Sequence, residues 1–251
     1  MGLSEILSEL SRESGKKTAD LTVKAALLFL DMPYVPATLE INETEQLVVN
    51  LNGVDCMTFS ETCLALARTA ICTEPHEKTF RRELQHIRYR DGKIDGYASR
   101  LHYAIDWLYD NAHKGILADV SAQCGGISLP LKIDFMSSHP DAYKVLKNNP
   151  AEIGKIARIE QEINKRSYFY IPKKEIEERA AAIKNGDIVL FVTSILGLDT
   201  THMGIAYWQG NVLTFIHASS TAGKVIVNPD PLFVYCAKIK NNIGIMLGRA
   251  L

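Results

Sequence analysis

The sequence has no apolar run long enough to cross a membrane. Its longest, "VKAALLFL" at 23–30, is eight residues and contains a lysine, whereas a spanning helix needs about 18 or more. It has almost no net charge. With 28 Lys and Arg against 29 Asp and Glu, the balance is -1, which gives no electrostatic ground for a nucleic-acid partner. Cysteine is sparse: Cys56, Cys63, Cys72, Cys124 and Cys236 are an odd number at irregular spacing, with no C-x-x-C pair. That excludes a disulfide framework and a structural zinc site, and leaves at least one thiol free. The N-terminus, "MGLSEILSELSRESGKK", lacks the basic-then-apolar order of a signal peptide. Such a start suits a cytosolic protein, and equally a mature secreted one whose signal has been removed. There is no internal repeat, no low-complexity stretch and no linker long enough to mark a domain boundary, so a single domain over 1–251 is expected.

What remains is a chain that is 47% hydrophobic, enough for a substantial core. Helical periodicity runs through 17–31, where Leu21, Ala25, Leu28 and Phe29 share a face before Pro33 and Pro36. "EQLVVNL" (45–51) has the composition of a short strand. "CMTFSETCLALARTA" then repeats apolar residues at Phe59, Cys63, Leu66, Ala67 and Ala70, which predicts a helix. Asp55 suits its N-cap, in preference to a competing Thr58-x-x-Glu61 capping box, and this places Cys56 in the first turn. Helices are also expected over 78–90, 100–113, 138–150 and 151–166, so that about 74–180 forms a long helical insertion. The last third changes character. Segments 185–194, 202–209, 212–219, 224–228 and 242–249 are rich in β-branched and aromatic residues separated by turns, with Gly210-Asn211 at a hairpin tip. Helices feeding an antiparallel sheet make an α+β class.

The hairpin carries His202 near the start of one strand and His217 near the end of the next, both toward its open end, where they can meet. A helix-head cysteine, a strand histidine and a second polar group on the neighbouring strand suit nucleophilic catalysis. The thiolate attacks a carbonyl, the first histidine carries the proton, and the third group fixes the tautomer. A helix N-terminus and an imidazolium both lower a thiol pKa, and terminal N–H groups can receive an oxyanion. Each residue alone has a plainer reading, a buried small hydrophobe for the cysteine and a structural histidine at a strand end. Cys63, Cys72 and Cys236 are left to that plainer role. The same three groups Cys56, His202 and His217 are also soft enough to bind a metal. The combination of D-C at a helix start, H-x-G-I-A on one strand and I-H-A-S on the next points instead to catalysis.

Read together, "DCMTF", "GDIVLF", "HMGIAYW" and "FIHASS" resemble the core motifs of the NlpC-type cell-wall cysteine hydrolases. "GLDTTHMGIA", "SRLHYAIDWLYDN" and "IPKKEI" resemble more closely one branch, the N-acetylmuramoyl-L-alanine amidase-like family, from about Thr18 to the C-terminus. The resemblance implies a papain-like core with Cys56 as nucleophile, His202 as base and His217 as third residue, and it implies no cofactor and no metal. Met57 and Thr58 stand where the wider superfamily has serine and glycine, which, with the insertion, favours the amidase branch. The implied substrate is a muropeptide, the anhydro form included, cut at the amide between N-acetylmuramic acid and L-alanine. The alternatives are an endopeptidase cutting the D-glutamyl–diaminopimelate bond and a non-catalytic muropeptide-binding protein. The expected enzyme is a monomer in a periplasmic or secreted setting, with the cytoplasm left open. Within the insertion, Tyr97, Arg100, His102 and Tyr103 are candidate substrate contacts, Arg100 by pairing with a stem-peptide carboxylate. Ser219 is a candidate for the cleft beyond His217. Their plainer readings are a solvated arginine and a turn serine, as a helix-capping role is for Ser138.

Overall fold

The computed structural model describes residues 1–13, 15 and 17–251. The chain begins with α1 (Leu3–Ser11) and α2 (Thr18–Leu28), then runs through an irregular stretch to α3 (Cys56–Ala70) and α4 (Glu77–Arg88). The middle holds α5 (Ala104–His113), β1 (Leu117–Asp119), β2 (Ile127–Leu129), α6 (Phe135–Ser138), α7 (Pro150–Ile163) and β3 (Tyr168–Pro172). It closes with α8 (Ile176–Arg179), β4 (Ile188–Thr193), β5 (Thr200–Gln209), β6 (Val212–Ser219), β7 (Lys224–Val227), α9 (Leu232–Lys238) and β8 (Asn242–Ala250). The result is a mixed α/β fold on one eight-stranded sheet of order β2-β3-β8-β4-β5-β6-β7, with β1 also on β8. Every strand pairing in it is antiparallel.

Helix α3 is the centre of the molecule. Asp55 accepts the N–H of Thr58 at 2.8 Å while the Thr58 hydroxyl takes the N–H of Asp55 at 2.9 Å, a reciprocal cap that fixes the helix start at Cys56. Glu61 belongs to no capping box. It is buried and accepts from Arg88 Nε at 2.6 Å. The body of α3 packs against α2 and against β5 and β6, burying Phe59, Cys63, Leu66 and Ala67. In the hairpin, Gln209 faces Val212 across a two-residue turn, with Gly210 at φ 59° where a side chain would be strained. Where β4 meets β5, Phe191 faces His202 and Val192 faces Thr200, so Thr201 is an extra residue beside the histidine.

Several expectations fail, each for a reason beyond local pattern. Residues 45–50 form no strand. Their carbonyls go to side chains instead, Val48 O to Arg88 at 2.6 Å and Gln46 O to the Tyr89 hydroxyl at 3.1 Å. Residues 139–149 form no α-helix; a short 3₁₀ turn at Pro140–Ala142 and turns replace it, with Asn148 at φ 57°. Ser138 ends α6 rather than starting a helix, and its hydroxyl donates back to Asp134 O at 2.6 Å. The helix expected from 100 starts at Ala104, because Tyr97–Ser99 is a 3₁₀ turn and the next residues are irregular. The insertion is not wholly helical, since it contributes β1, β2 and β3 to the sheet. No described helix is long and apolar enough to cross a membrane.

Candidate active site

Cys56, the first residue of α3, lines a cavity of about 200 Å³ together with His202. The helix head does what a helix head should: N–H groups of Met57 and Cys56, joined by that of Met203, pull the thiol pKa down. They do not win. Burial first, and then the neighbouring Asp55 carboxylate, push Cys56 up to about 12. The lowered thiol expected from the sequence is therefore not a property of the free protein. Tyr34 is close enough that Cys56 and Asp55 both add to the effect of burial in raising its hydroxyl pKa.

His202 and His217 are diagonal neighbours on one face of the β5–β6 ladder, since His217 falls opposite Gly204 in the register of Ile205 with Ile216. Gly204 leaves the room they need. A Cβ there would lie 2.8 Å from Phe215 Cδ2 and 3.4 Å from His217 Cβ. Nε2 of His202 lies 2.6 Å from Nδ1 of His217. With Nε2 so engaged, Nδ1 is the nitrogen of His202 left to exchange a proton. Among the described residues nothing bonds to it, the Cys56 thiol included, although the two side chains line one cavity. Burial, and then the proximity of His217, hold His202 down to about 3, so thiol and imidazole rest neutral together. Burial likewise lowers His217 to about 4. Its Nε2 is buried without a partner of good geometry. The Asn228 side chain lies near enough to raise its pKa, against the larger effect of burial. Phe191, Phe215 and Tyr235 of α9 pack their rings around the two imidazoles. The arrangement places a thiol and an imidazole on one cavity, with Nε2 of that imidazole engaged by a second histidine.

The insertion builds the opposite wall, and here the candidates divide. His102 and Tyr103 line the cavity, as do Met136, Tyr143 and Asp199. His102 and Tyr143 also border a second cavity of about 160 Å³, which contains Tyr97 and Arg100. Arg100 is not a solvated arginine. It is 5% exposed, bonds Glu40, lies 3.8 Å from Glu45 and rests over the Tyr97 ring. Its charge is thus already balanced, and a substrate carboxylate would have to compete with Glu40. The Tyr103 hydroxyl donates to Glu160 at 2.7 Å and receives the Met136 N–H at 2.9 Å, tying α5, α6 and α7 together. Ser219 is not in the cavity lining; its hydroxyl accepts the Ala222 N–H at 3.1 Å in the turn before β7. Asp106 and Trp107 are buried, Asp106 between Arg90 and Arg166. Sequence reasoning missed Asp199, Tyr143, Tyr34 and Asn228, whose proximity to the site arises only through tertiary contacts. Among the described residues, no three His, Cys, Asp or Glu side chains are grouped to hold a metal ion.

Fold and site together define a mixed α/β protein in which a free thiol shares a cavity with an imidazole that is paired to a second one behind it. The chain matches the AmiA-like, N-acetylmuramoyl-L-alanine amidase-like family model over residues 24–245, and it belongs to that family. Among solved structures it is similar to an N-acetylmuramoyl-L-alanine amidase from Bacteroides uniformis, at 40% identity and TM-score 0.89, over 93% of this chain and 98% of that one. It is also similar to a Bacteroides fragilis protein named as a candidate xylanase, at 42% identity and TM-score 0.86, over 90% and 99%. A Legionella pneumophila protein at 22% identity and TM-score 0.71, over 99% and 94%, shares the fold. No curated protein matches the chain.

Proposed function

We propose that this protein is a cysteine amidase of the papain-like, NlpC-type group that releases the stem peptide from N-acetylmuramic acid in soluble muropeptides. The observation that carries the reading is the shared cavity of Cys56 and His202, with Nε2 of His202 held by His217. Because both partners rest neutral, the proton moves as the attack occurs rather than beforehand. Sγ of Cys56 adds to the lactyl carbonyl carbon while Nδ1 of His202 takes the thiol proton, and N–H groups at the head of α3 receive the oxyanion. His202 then gives that proton to the nitrogen of L-alanine as the C–N bond breaks. A thioester remains, and water, losing its proton to His202, hydrolyses it and restores the thiol. The family and the Bacteroides uniformis amidase support the choice of bond. A xylanase reading is weaker here. Glycoside cleavage in most families uses two carboxylates across the bond, and among the described residues the lining of this cavity holds a single one, Asp199.

The reading requires that Cys56→Ala stop muropeptide hydrolysis while the fold is kept, and that Cys63→Ala, in the core of α3, retain turnover per folded molecule. Equal turnover in the two variants would remove Cys56 from the mechanism.

A further inference from the structure

Behind His217, on the side away from Cys56, the sheet carries one more polar side chain. The ladder pairs His217 with Ile226 and Ile216 with Val227. The Asn228 N–H then donates to Phe215 O at 2.8 Å, which continues the pairing one residue beyond β7. Asn228 therefore stands on the same face as His217, as its diagonal neighbour. His202 is the diagonal neighbour of His217 on the other side. The three side chains make one oblique row across β5, β6 and the end of β7.

The row has a direction, and a backbone carbonyl sets it. Nδ2 of Asn228 donates to Asp230 O at 2.8 Å. The Thr214 hydroxyl donates to Asn228 O at 2.7 Å and lies 3.0 Å from Asp230 O, which holds the turn that carries this acceptor. A carbonyl only accepts, so reversing the amide would set two oxygens against each other. Oδ1 is thus the end of the buried Asn228 amide left for another partner. Nε2 of His217 is a buried nitrogen with no bond of full geometry. Asn228 raises the His217 pKa, which is the effect of an acceptor and not of a donor.

An acceptor facing Nε2 puts the His217 hydrogen on Nε2 and the lone pair on Nδ1. Nε2 of His202, 2.6 Å from that lone pair, is then the donor, and Nδ1 of His202 keeps its own lone pair. That is the form able to take the thiol proton. The reverse tautomers would place a hydrogen on Nδ1 of His202 and leave it nothing to accept with. Resting on the cysteine-amidase reading, we propose that Asn228 is a positioning residue for the reaction: its Oδ1 holds the His217 hydrogen on Nε2 and, through His217, keeps Nδ1 of His202 open as the base.

The test separates the two ends of the amide. Asn228→Asp keeps an oxygen toward His217 and gives up the Nδ2 bond that pins the turn, whereas Asn228→Leu removes both. Protein labelled with nitrogen-15 in histidine is read by NMR at neutral pH without substrate, and kcat and KM are measured on a muramoyl-L-alanyl peptide, per folded molecule. In the parent, His202 and His217 should both carry the hydrogen on Nε2. Asn228→Leu should mix the tautomers and lower kcat on the order of tenfold, the loss of one hydrogen bond, with KM unchanged. Asn228→Asp should keep the parent tautomers and most of its kcat, whatever stability it loses. The proposal is overturned if His217 of the parent carries its hydrogen on Nδ1, if Asn228→Leu keeps the parent tautomers, or if Asn228→Asp loses as much kcat as Asn228→Leu, which is what a residue that only pins the turn would give. Should Asn228→Leu not fold, the parent and Asn228→Asp spectra decide. The spectra need no substrate. A parent with these tautomers that does not cut the muramoyl amide removes the amidase reading and keeps the direction of the row; a parent that cuts with the reverse tautomers removes this proposal alone.

Discussion

Replacing His217 by asparagine should make the protein less sensitive to acid. The native imidazole is 3% exposed, and burial lowers its pKa from 6.5 to about 4. In the unfolded chain it takes a proton below about 6.5, but in the native state not until about 4. Between those values protons favour the unfolded form, so stability falls as pH descends through the window and stops falling, on this group's account, below it. At pH 5 the unfolded chain has gained about 1.5 pH units of binding that the native state has not, and at about 1.4 kcal/mol per unit this is about 2 kcal/mol. His202 titrates with His217 as a pair, and losing His217 removes one cause of its low pKa. Asp199 acts with the opposite sign, because burial raises its pKa to about 6 and its share of stability grows as pH falls. Comparing the variant with the parent cancels that contribution. Urea unfolding at pH 7 and at pH 5 should therefore show the parent losing about 2 kcal/mol more than His217→Asn. Equal losses would refute the claim that a buried neutral imidazole is held there. Turnover per folded molecule, read on the same samples, should fall, but by less than in His202→Ala. Unchanged turnover would leave His217 a structural residue.

Two further outcomes follow from the same geometry. Gly204→Ala should cost about 1–3 kcal/mol in thermal or urea unfolding and lower turnover beyond that, because its Cβ would sit 2.8 Å from the Phe215 ring that packs on His217; an unaffected enzyme would contradict the close packing. Alkylation of Cys56 by iodoacetamide, followed by peptide mapping to separate it from the other four thiols, should be slow at pH 6–7 and climb through the alkaline range, since burial and Asp55 raise its pKa. Fast labelling at mildly acidic pH would show a preformed thiolate–imidazolium pair instead.

The parts of this site that are local in sequence were legible there. Asp55-Cys56 reads as a capped helix head because the cap bond spans three residues. The β5–β6 hairpin reads from β-branched runs around Gly210, and its register brings His202 to His217. What was hidden depends on partners far along the chain. The segment 45–51 has a strand's composition, but its carbonyls are taken by Arg88 and Tyr89, some 40 residues away. Strands β1, β2 and β3 are only three to five residues each and exist by joining the sheet, β1 and β3 on β8 and β2 on β3. Asp199 reads as one more loop acid until it is seen to cap α5, 94 residues upstream. The thiol pKa misled for the same reason. The helix head was visible, but the burial that outweighs it was not.

The proposed chemistry has Cys56 and His202 cleave the bond between muramic acid and L-alanine. Mass spectrometry of a defined muropeptide mixture before and after incubation tests it most directly. The expected products are paired, a sugar ending in a free lactyl carboxylate and an intact stem peptide with a free L-alanine amine, both absent with Cys56→Ala. Products cut between D-glutamate and diaminopimelate, an unchanged mixture, or cleavage that persists in Cys56→Ala would contradict it.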